Sequence, residues 1–306
     1  MGGVLEGFGV IGVVIGVGVL VAHLGIVGAD AQLMLSRLVF FVATPALLFG
    51  LMSDVDAVEV LSTRLLVAAA SFAVTAAICI VVAKSVWRMP RGDIAIATMS
   101  AAYVNAGNLG IPIAVYALGD ASAVASVMLF QQLVVTPVSL MVLDLDRDGH
   151  RLTRLQLATL PLRNPMTLAV ILGLAVALTG WQLPSFAREP IDMLAGMAVP
   201  SMLIAYGVSL RLGPRPGNGA PRQQVAVATA LKLIVQPACA YVAGLLLGLE
   251  GSALLAVTVV AALPTAQNIF VHATRYGRSQ LLARDSIFVT TILAVPVVLG
   301  IVALLA

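Results

Sequence analysis

Apolar stretches of about 20 residues alternate along the chain with short connections rich in charge, glycine or proline. A bilayer core about 30 Å thick is crossed by roughly 20 residues of helix, so each stretch predicts one membrane-spanning helix. Ten are expected, near 4–28, 33–52, 64–86, 93–118, 122–143, 164–183, 190–211, 223–248, 252–276 and 282–305. The longest polar connection, Asp144 to Leu162, holds Asp144, Asp146, Arg147, Asp148, His150, Arg151 and Arg154. It divides the chain into residues 1–143, a connecting loop 144–162, and residues 163–306, with five spans on each side. The first stretch follows no basic residues and precedes no persuasive small-residue cleavage site, so it is expected to remain as a span.

The two halves share landmarks. Pro45 and Pro200 are 155 residues apart, Gly119 and Gly277 are 158 apart, and Pro137 and Pro296 are 159 apart. Such nearly constant spacing predicts an internal repeat. Because five is odd, the second half enters from the opposite side of the membrane, and the repeats are inverted. That architecture belongs to secondary carriers.

Composition strengthens this picture. The 306 residues are 60% hydrophobic and 10% charged, whereas a soluble domain is about a quarter charged. The fold class expected is therefore all-α integral membrane. Cys79 and Cys239 lie in apolar stretches, which excludes a disulfide framework or a zinc cluster.

The net charge of +3 matters less than its placement. With the N-terminus outside, 14 of the 17 basic residues fall at inner ends, Arg64 and Arg188 lie outside, and Lys232 lies within a span. The excess of inner Lys and Arg predicts a plasma (inner) membrane protein with both termini extracytoplasmic. It also leaves no basic patch for nucleic acid; lipid is the expected surrounding partner.

Candidate chemistry concentrates in two spans. Asn105, Ala106, Gly107, Asn108, Leu109, Gly110, Ile111 and Pro112 are too polar and helix-breaking for a lipid-facing segment. Pro112 removes a backbone donor, and the glycines weaken the helix locally. Pro264, Thr265, Ala266, Gln267 and Asn268 form the counterpart in span 9. Broken helix is tolerated at membrane depth only where protein or a water-filled cavity satisfies it. Matching breaks in inverted repeats are the best sequence pointer to a transport site. Half-helix N-termini suit a carboxylate, and Asn105, Asn108, Gln267 and Asn268 supply further hydrogen bonds. The competing reading is a pair of kinks whose amides hold helices together.

Lys232 lies ten residues beyond Arg222, about 15 Å into the membrane at 1.5 Å per residue. No comparably deep acid stands out to pair with it, so a substrate carboxylate is one expected partner; snorkelling and a bond to backbone carbonyls are the alternatives. Gln131 is polar enough to face the interior. His272 and His23 are the candidates for proton coupling, with a structural role the commoner use of a single histidine.

Other patterns lead nowhere. Gly7-Phe8-Gly9-Val10-Ile11-Gly12 matches a dinucleotide fingerprint as a string but has no preceding strand. Gly12 and Gly16 form a GxxxG spacing too common in membrane spans to prove a dimer. No Walker loop, HExxH or GxSxG is present, which argues against an ATP-driven pump or a hydrolase. No cofactor is expected.

The sequence resembles the auxin efflux carrier family, including bacterial malonate-transporter-like permeases and, more distantly, plant PIN carriers. The resemblance covers nearly the whole chain. It is carried by Asn105 through Pro112, Arg163-Asn164-Pro165, Lys232-Leu233 with Pro237, and Pro264 through Gly277. It implies two inverted five-helix repeats with broken helices 4 and 9 crossing at a central anion site, as in sodium/proton antiporters and bile-acid symporters. It further implies a scaffold of spans 1, 2, 6 and 7, with the remaining spans as transport helices. The substrate so implied is a small organic anion, a mono- or dicarboxylate such as malonate. Coupling to H+ or Na+ and formation of a homodimer stay open, as do a bile-acid-symporter type of sodium coupling and a non-transporting sensor or channel. The short Asp144–Leu162 segment departs from the long hydrophilic loop of the plant carriers, so their phosphoregulation is not expected here.

Overall fold

A computed structural model describes residues 2–54, 62–110, 122–148, 165–181, 183–213, 217 and 219–305. Among these, helix dominates and the sole β pairing is a single isolated bridge. We label the helices α1 (Gly2–His23), α2 (Ala29–Ser53), α3 (Thr63–Ser85) and α4 (Arg91–Ala102), the last followed by a π-helical turn at Ala106–Gly110. Then come α5 (Ser122–Asp148), α6 (Pro165–Thr179), α7 (Ser185–Leu212), α8 (Arg222–Leu246), α9 (Gly251–Ala261), α10 (Asn268–Tyr276) and α11 (Gln280–Leu305). Six of them, α2, α3, α5, α7, α8 and α11, are long and apolar enough to cross a membrane. The first residues of the expected 144–162 connection prove helical, because the helix continues to Asp148; the rest of that connection lies outside the described residues.

Three long helices carry a π-helical turn at Val39–Ala43, Gln131–Val135 and Leu231–Val235. Each turn ends two residues before a proline, namely Pro45, Pro137 and Pro237. A proline ring within a helix clashes with the carbonyl four residues earlier and supplies no N–H. Widening the preceding turn relieves that clash while the helix continues. The extra residue also rotates what precedes the proline, and Gln131 and Lys232 both stand in these widened turns.

The helices pack as two groups. In one, α7 lies against α1 and α2, and α6 lies against α2. In the other, α3 packs on α4, α5 and α8, while α9 and α11 pack on each other and α8 joins both. Contacts between the groups run mainly from α10 to α2, and from the π-helical turn at Ala106–Gly110 to α1.

Close approach within the first group depends on glycine. A Cβ on Gly18 of α1 would stand 2.5 Å from the Ile204 carbonyl oxygen of α7, and one on Gly207 would collide with the Ile15 carbonyl. Gly12 and Gly16 face open space, so the GxxxG string is not the packing surface; the contact glycine lies two residues beyond it. Near the start of α7, Arg188 holds Asp54 through two bonds of 2.9 and 2.7 Å and Asp192 through its Nε. The Arg188 guanidinium keeps the Asp54 carboxyl below its usual range. Both side chains are solvent-accessible, so the pair fixes geometry more than it adds stability.

The α1–α7 contact yields a prediction. Gly207→Val forces backbone apart and is expected to cost about 3 kcal/mol, seen as a lower melting temperature of the purified protein. Gly12→Val is expected to leave that temperature unchanged.

Candidate functional site

The breaks in the two helical halves meet. After α4 ends at Ala102 the backbone becomes extended at Tyr103, and after α9 the chain opens from Ala262 to Gln267. These segments run antiparallel. Val104 bridges Thr265, the Asn105 N–H donates to the Pro264 carbonyl at 3.0 Å, and the Ala266 N–H donates to the Tyr103 carbonyl at 3.3 Å. Pro264 has no N–H to offer, but its carbonyl is used. The Asn105 carboxamide then donates to Gln267 Oε1 at 2.7 Å, joining the two sequence-predicted stretches directly.

Side chains satisfy the backbone that the bridge leaves open. Gln131 Oε1 accepts from the Val104 N–H at 2.6 Å, and its Nε2 donates to the Val104 carbonyl at 3.0 Å. On the other strand, the Thr265 N–H donates to Thr290 Oγ1 at 3.2 Å, and Thr265 Oγ1 donates to the Ser100 carbonyl at 2.6 Å. Gln131 and Thr290 thus perform related work on α5 and α11. All of these side chains are buried.

A cavity of about 80 Å³ opens beside the crossover. Its carboxamide lining comes from Asn105, Gln131, Gln132, Gln267 and Asn268, whereas Leu47, Leu51, Val199 and Met202 of α2 and α7 form a wall that is apolar apart from Thr44. No lining residue is charged. Helix α10 begins at this cavity with Asn268, so its first N–H groups and positive dipole end lie there. The buried Asn268 Oδ1 has no hydrogen-bond partner among the described residues, while the Tyr103 hydroxyl beside Asn268 is bonded to Thr136 at 2.8 Å. At its far end, α10 terminates on Gly277, whose φ of 64° places it in the left-handed region that glycine accepts.

Other predicted residues fall elsewhere. Lys232 is completely buried behind the crossover, and its Nζ donates to Gln236 Oε1 at 2.7 Å and to the Ala261 carbonyl at 2.8 Å. It is not part of the cavity lining. Gln236 Nε2 in turn donates to the Ala102 carbonyl at 2.8 Å. His272 is buried on α10 with its ring edge-on to Phe40 and neither nitrogen hydrogen-bonded among the described residues. His23 is exposed at the end of α1, where Nδ1 lies 3.0 Å from Arg211 Nη2. Gly107 and Asn108 belong to the π-helical turn at Ala106–Gly110; the Asn108 side chain and Pro112 lie outside the described residues.

Sequence reasoning missed Gln236 and Thr290. The position of Gln236 four residues after Lys232, on the same helix face, was a usable signal; Thr290 offered none. Sequence reasoning also did not single out Asp285, which is fully buried near the start of α11. Asp285 Oδ1 accepts from the adjacent Arg284 at 2.6 Å, and its Oδ2 accepts from the Gly217 N–H at 3.1 Å. That pair therefore joins the α7–α8 connection to α11 and does not serve Lys232.

A family model described as membrane transport protein matches the chain in two segments, residues 9–152 and 146–302. A protein of Rhizobium meliloti (strain 1021) bearing the name "Putative malonate transporter" is 30% identical over 285 residues, covering 90% of this chain and 88% of that protein. Auxin efflux carrier component 4 of Arabidopsis thaliana is 28% identical over 145 residues, 45% of this chain and 23% of the plant protein. Auxin efflux carrier component 3a of Oryza sativa subsp. japonica is 26% identical over 142 residues, with the same coverage.

The brace on Val104 can be tested. Gln131→Leu removes both of its bonds and leaves the buried Val104 N–H unpaired, at about 1–3 kcal/mol, while the Val104 carbonyl keeps its bond from the Ala106 N–H. A clear fall in melting temperature is expected for Gln131→Leu, and a smaller one for Gln132→Leu.

Proposed function

Because the chain belongs to the membrane transport protein family, whose members are multi-pass transporters and not enzymes, we propose that it is a secondary carrier of a small organic anion. The substrate is a mono- or dicarboxylate, with malonate the first candidate because the relative from Rhizobium meliloti bears that transporter's name. The observation that carries this reading is the cavity at the crossover. It combines carboxamides and a helix N-terminus on one side with an apolar wall on the other, and it contains no carboxylate to repel an anion. Hydrogen-bond donors and a positive dipole end bind carboxylate oxygens without a fixed charge in the cavity.

The proposed architecture has ten crossings in two inverted repeats. Helices α1 and α6 complete the count, together with the two interrupted ones. Supporting it are the meeting of the two breaks and the paired roles of Gln131 and Thr290. The chain sits in the plasma membrane with both termini outside, as its inner basic residues favour. Alternating access then moves the crossover group of helices against the smooth face of α2 and α7. An apolar wall suits such sliding because it makes few bonds that must break.

Uptake of labelled malonate into proteoliposomes tests the proposal, with unlabelled carboxylates as competitors and with proton, sodium or no imposed gradient. Saturable uptake that other carboxylates compete is expected; absence of flux for every acid in the panel would sink the carrier reading. Asn268→Leu removes a cavity carboxamide. Hydrogen bonds to charged groups contribute about 1.5–3 kcal/mol, so transport is expected to fall about tenfold or more while the protein still accumulates in the membrane.

A further inference from the structure

Two basic side chains are almost wholly buried among the described residues, and they are treated differently. Arg284 is paired with the Asp285 carboxylate at 2.6 Å. Lys232 meets no carboxylate among the described residues; its Nζ donates to one carboxamide oxygen and one main-chain carbonyl. That carbonyl belongs to Ala261, the last residue of α9, and the carboxamide belongs to Gln236, which donates onward to Ala102, the last residue of α4.

The C-terminal ends of both interrupted helices are therefore served from one turn of α8. A helix C-terminus carries the equivalent of about half a negative charge. The α9 end meets Lys232 Nζ directly, and the α4 end meets it through the Gln236 carboxamide, so a cation is favoured there. Where broken helices meet in secondary carriers, half-helix C-terminal ends and unwound carbonyls are the groups that coordinate a coupling Na+ or H+. In this chain the Ala261 carbonyl is already occupied by an amine covalently attached to α8. The widened turn at Leu231–Val235 holds that amine in place, and Gln236, its partner one turn on, extends the contact to α4.

We infer that the Lys232 ammonium is a tethered substitute for a bound metal cation at the crossover, so that the carrier takes its organic anion without Na+ or K+ at this position. The counter-charge lies behind the crossover and is part of the chain. Naming this a coupling-ion position rests on the carrier reading; occupation of the two helix ends does not.

The test is thermal unfolding of the purified full-length protein at equal ionic strength in sodium, potassium, methylammonium or choline chloride. The wild type is expected to melt at the same temperature in all four. Lys232→Ala opens the Ala261 carbonyl and Gln236 Oε1, so its midpoint in choline is expected to fall and then to rise in sodium or methylammonium. A wild-type midpoint raised by sodium or potassium relative to choline would overturn the inference. So would a folded Lys232→Ala protein that no small cation restores. If Lys232→Ala does not accumulate, Lys232→Gln and the wild-type series decide on the same criteria. None of these readings uses transport: a protein that moves no carboxylate would refute the carrier reading and leave this result interpretable.

Discussion

A polar backbone group at membrane depth must find a partner within the protein, because the hydrocarbon offers none. Two interrupted helices create a concentration of such groups, and the arrangement around Val104 and Thr265 disposes of them. The strands satisfy part of the demand by pairing with each other, as the bonds from Asn105 to Pro264 and from Ala266 to Tyr103 show. Gln131, Thr290, Gln236 and Lys232 supply other partners from α5, α11 and α8. Losing any one leaves an unsatisfied group where water cannot readily replace the partner. The surrounding helices are consequently committed to particular rotations about their axes.

The same requirement separates charge across the crossover. The C-terminal ends of α4 and α9 point to Gln236 and Lys232, and the N-terminal end of α10 opens on the cavity. Negative helix ends thus meet an amine, while a positive end remains available to an incoming ligand. An uncharged cavity can in this way favour an anion. Residues of α2 and α7, apolar apart from Thr44, close the opposite side and leave the carboxamides to the other group of helices.

Proline contributes through its neighbours as much as through its own ring. Pro45, Pro137 and Pro237 each follow a π-helical turn, and two of those turns hold Gln131 and Lys232. A regular α-helix through the same residues would aim both side chains differently, since one added residue rotates the helix by about 100°. The prolines are legible in the sequence. Their effect on side-chain direction emerges only when the helix has to remain continuous while packed on both sides.

The sequence by itself determined the membrane class, the succession of apolar helices and the two places where they are interrupted. These are local consequences of long apolar stretches and of proline, glycine and carboxamides within them. Tertiary structure decided which groups meet. Asn105 and Gln267 are 162 residues apart, and Lys232 reaches a carbonyl 29 residues away. Lys232 read as a deep cation seeking an anion, whereas the fold surrounds it with helix ends. Gly12 and Gly16 form a common spacing that decided nothing, and Gly18 and Gly207 make the contact. Asp285 carried no signal in the sequence, and the α7–α8 connection bonds to it in the fold. Each such outcome depends on rotations and approaches of helices distant in sequence, which a residue pattern along one chain does not encode separately from the packing that selects them.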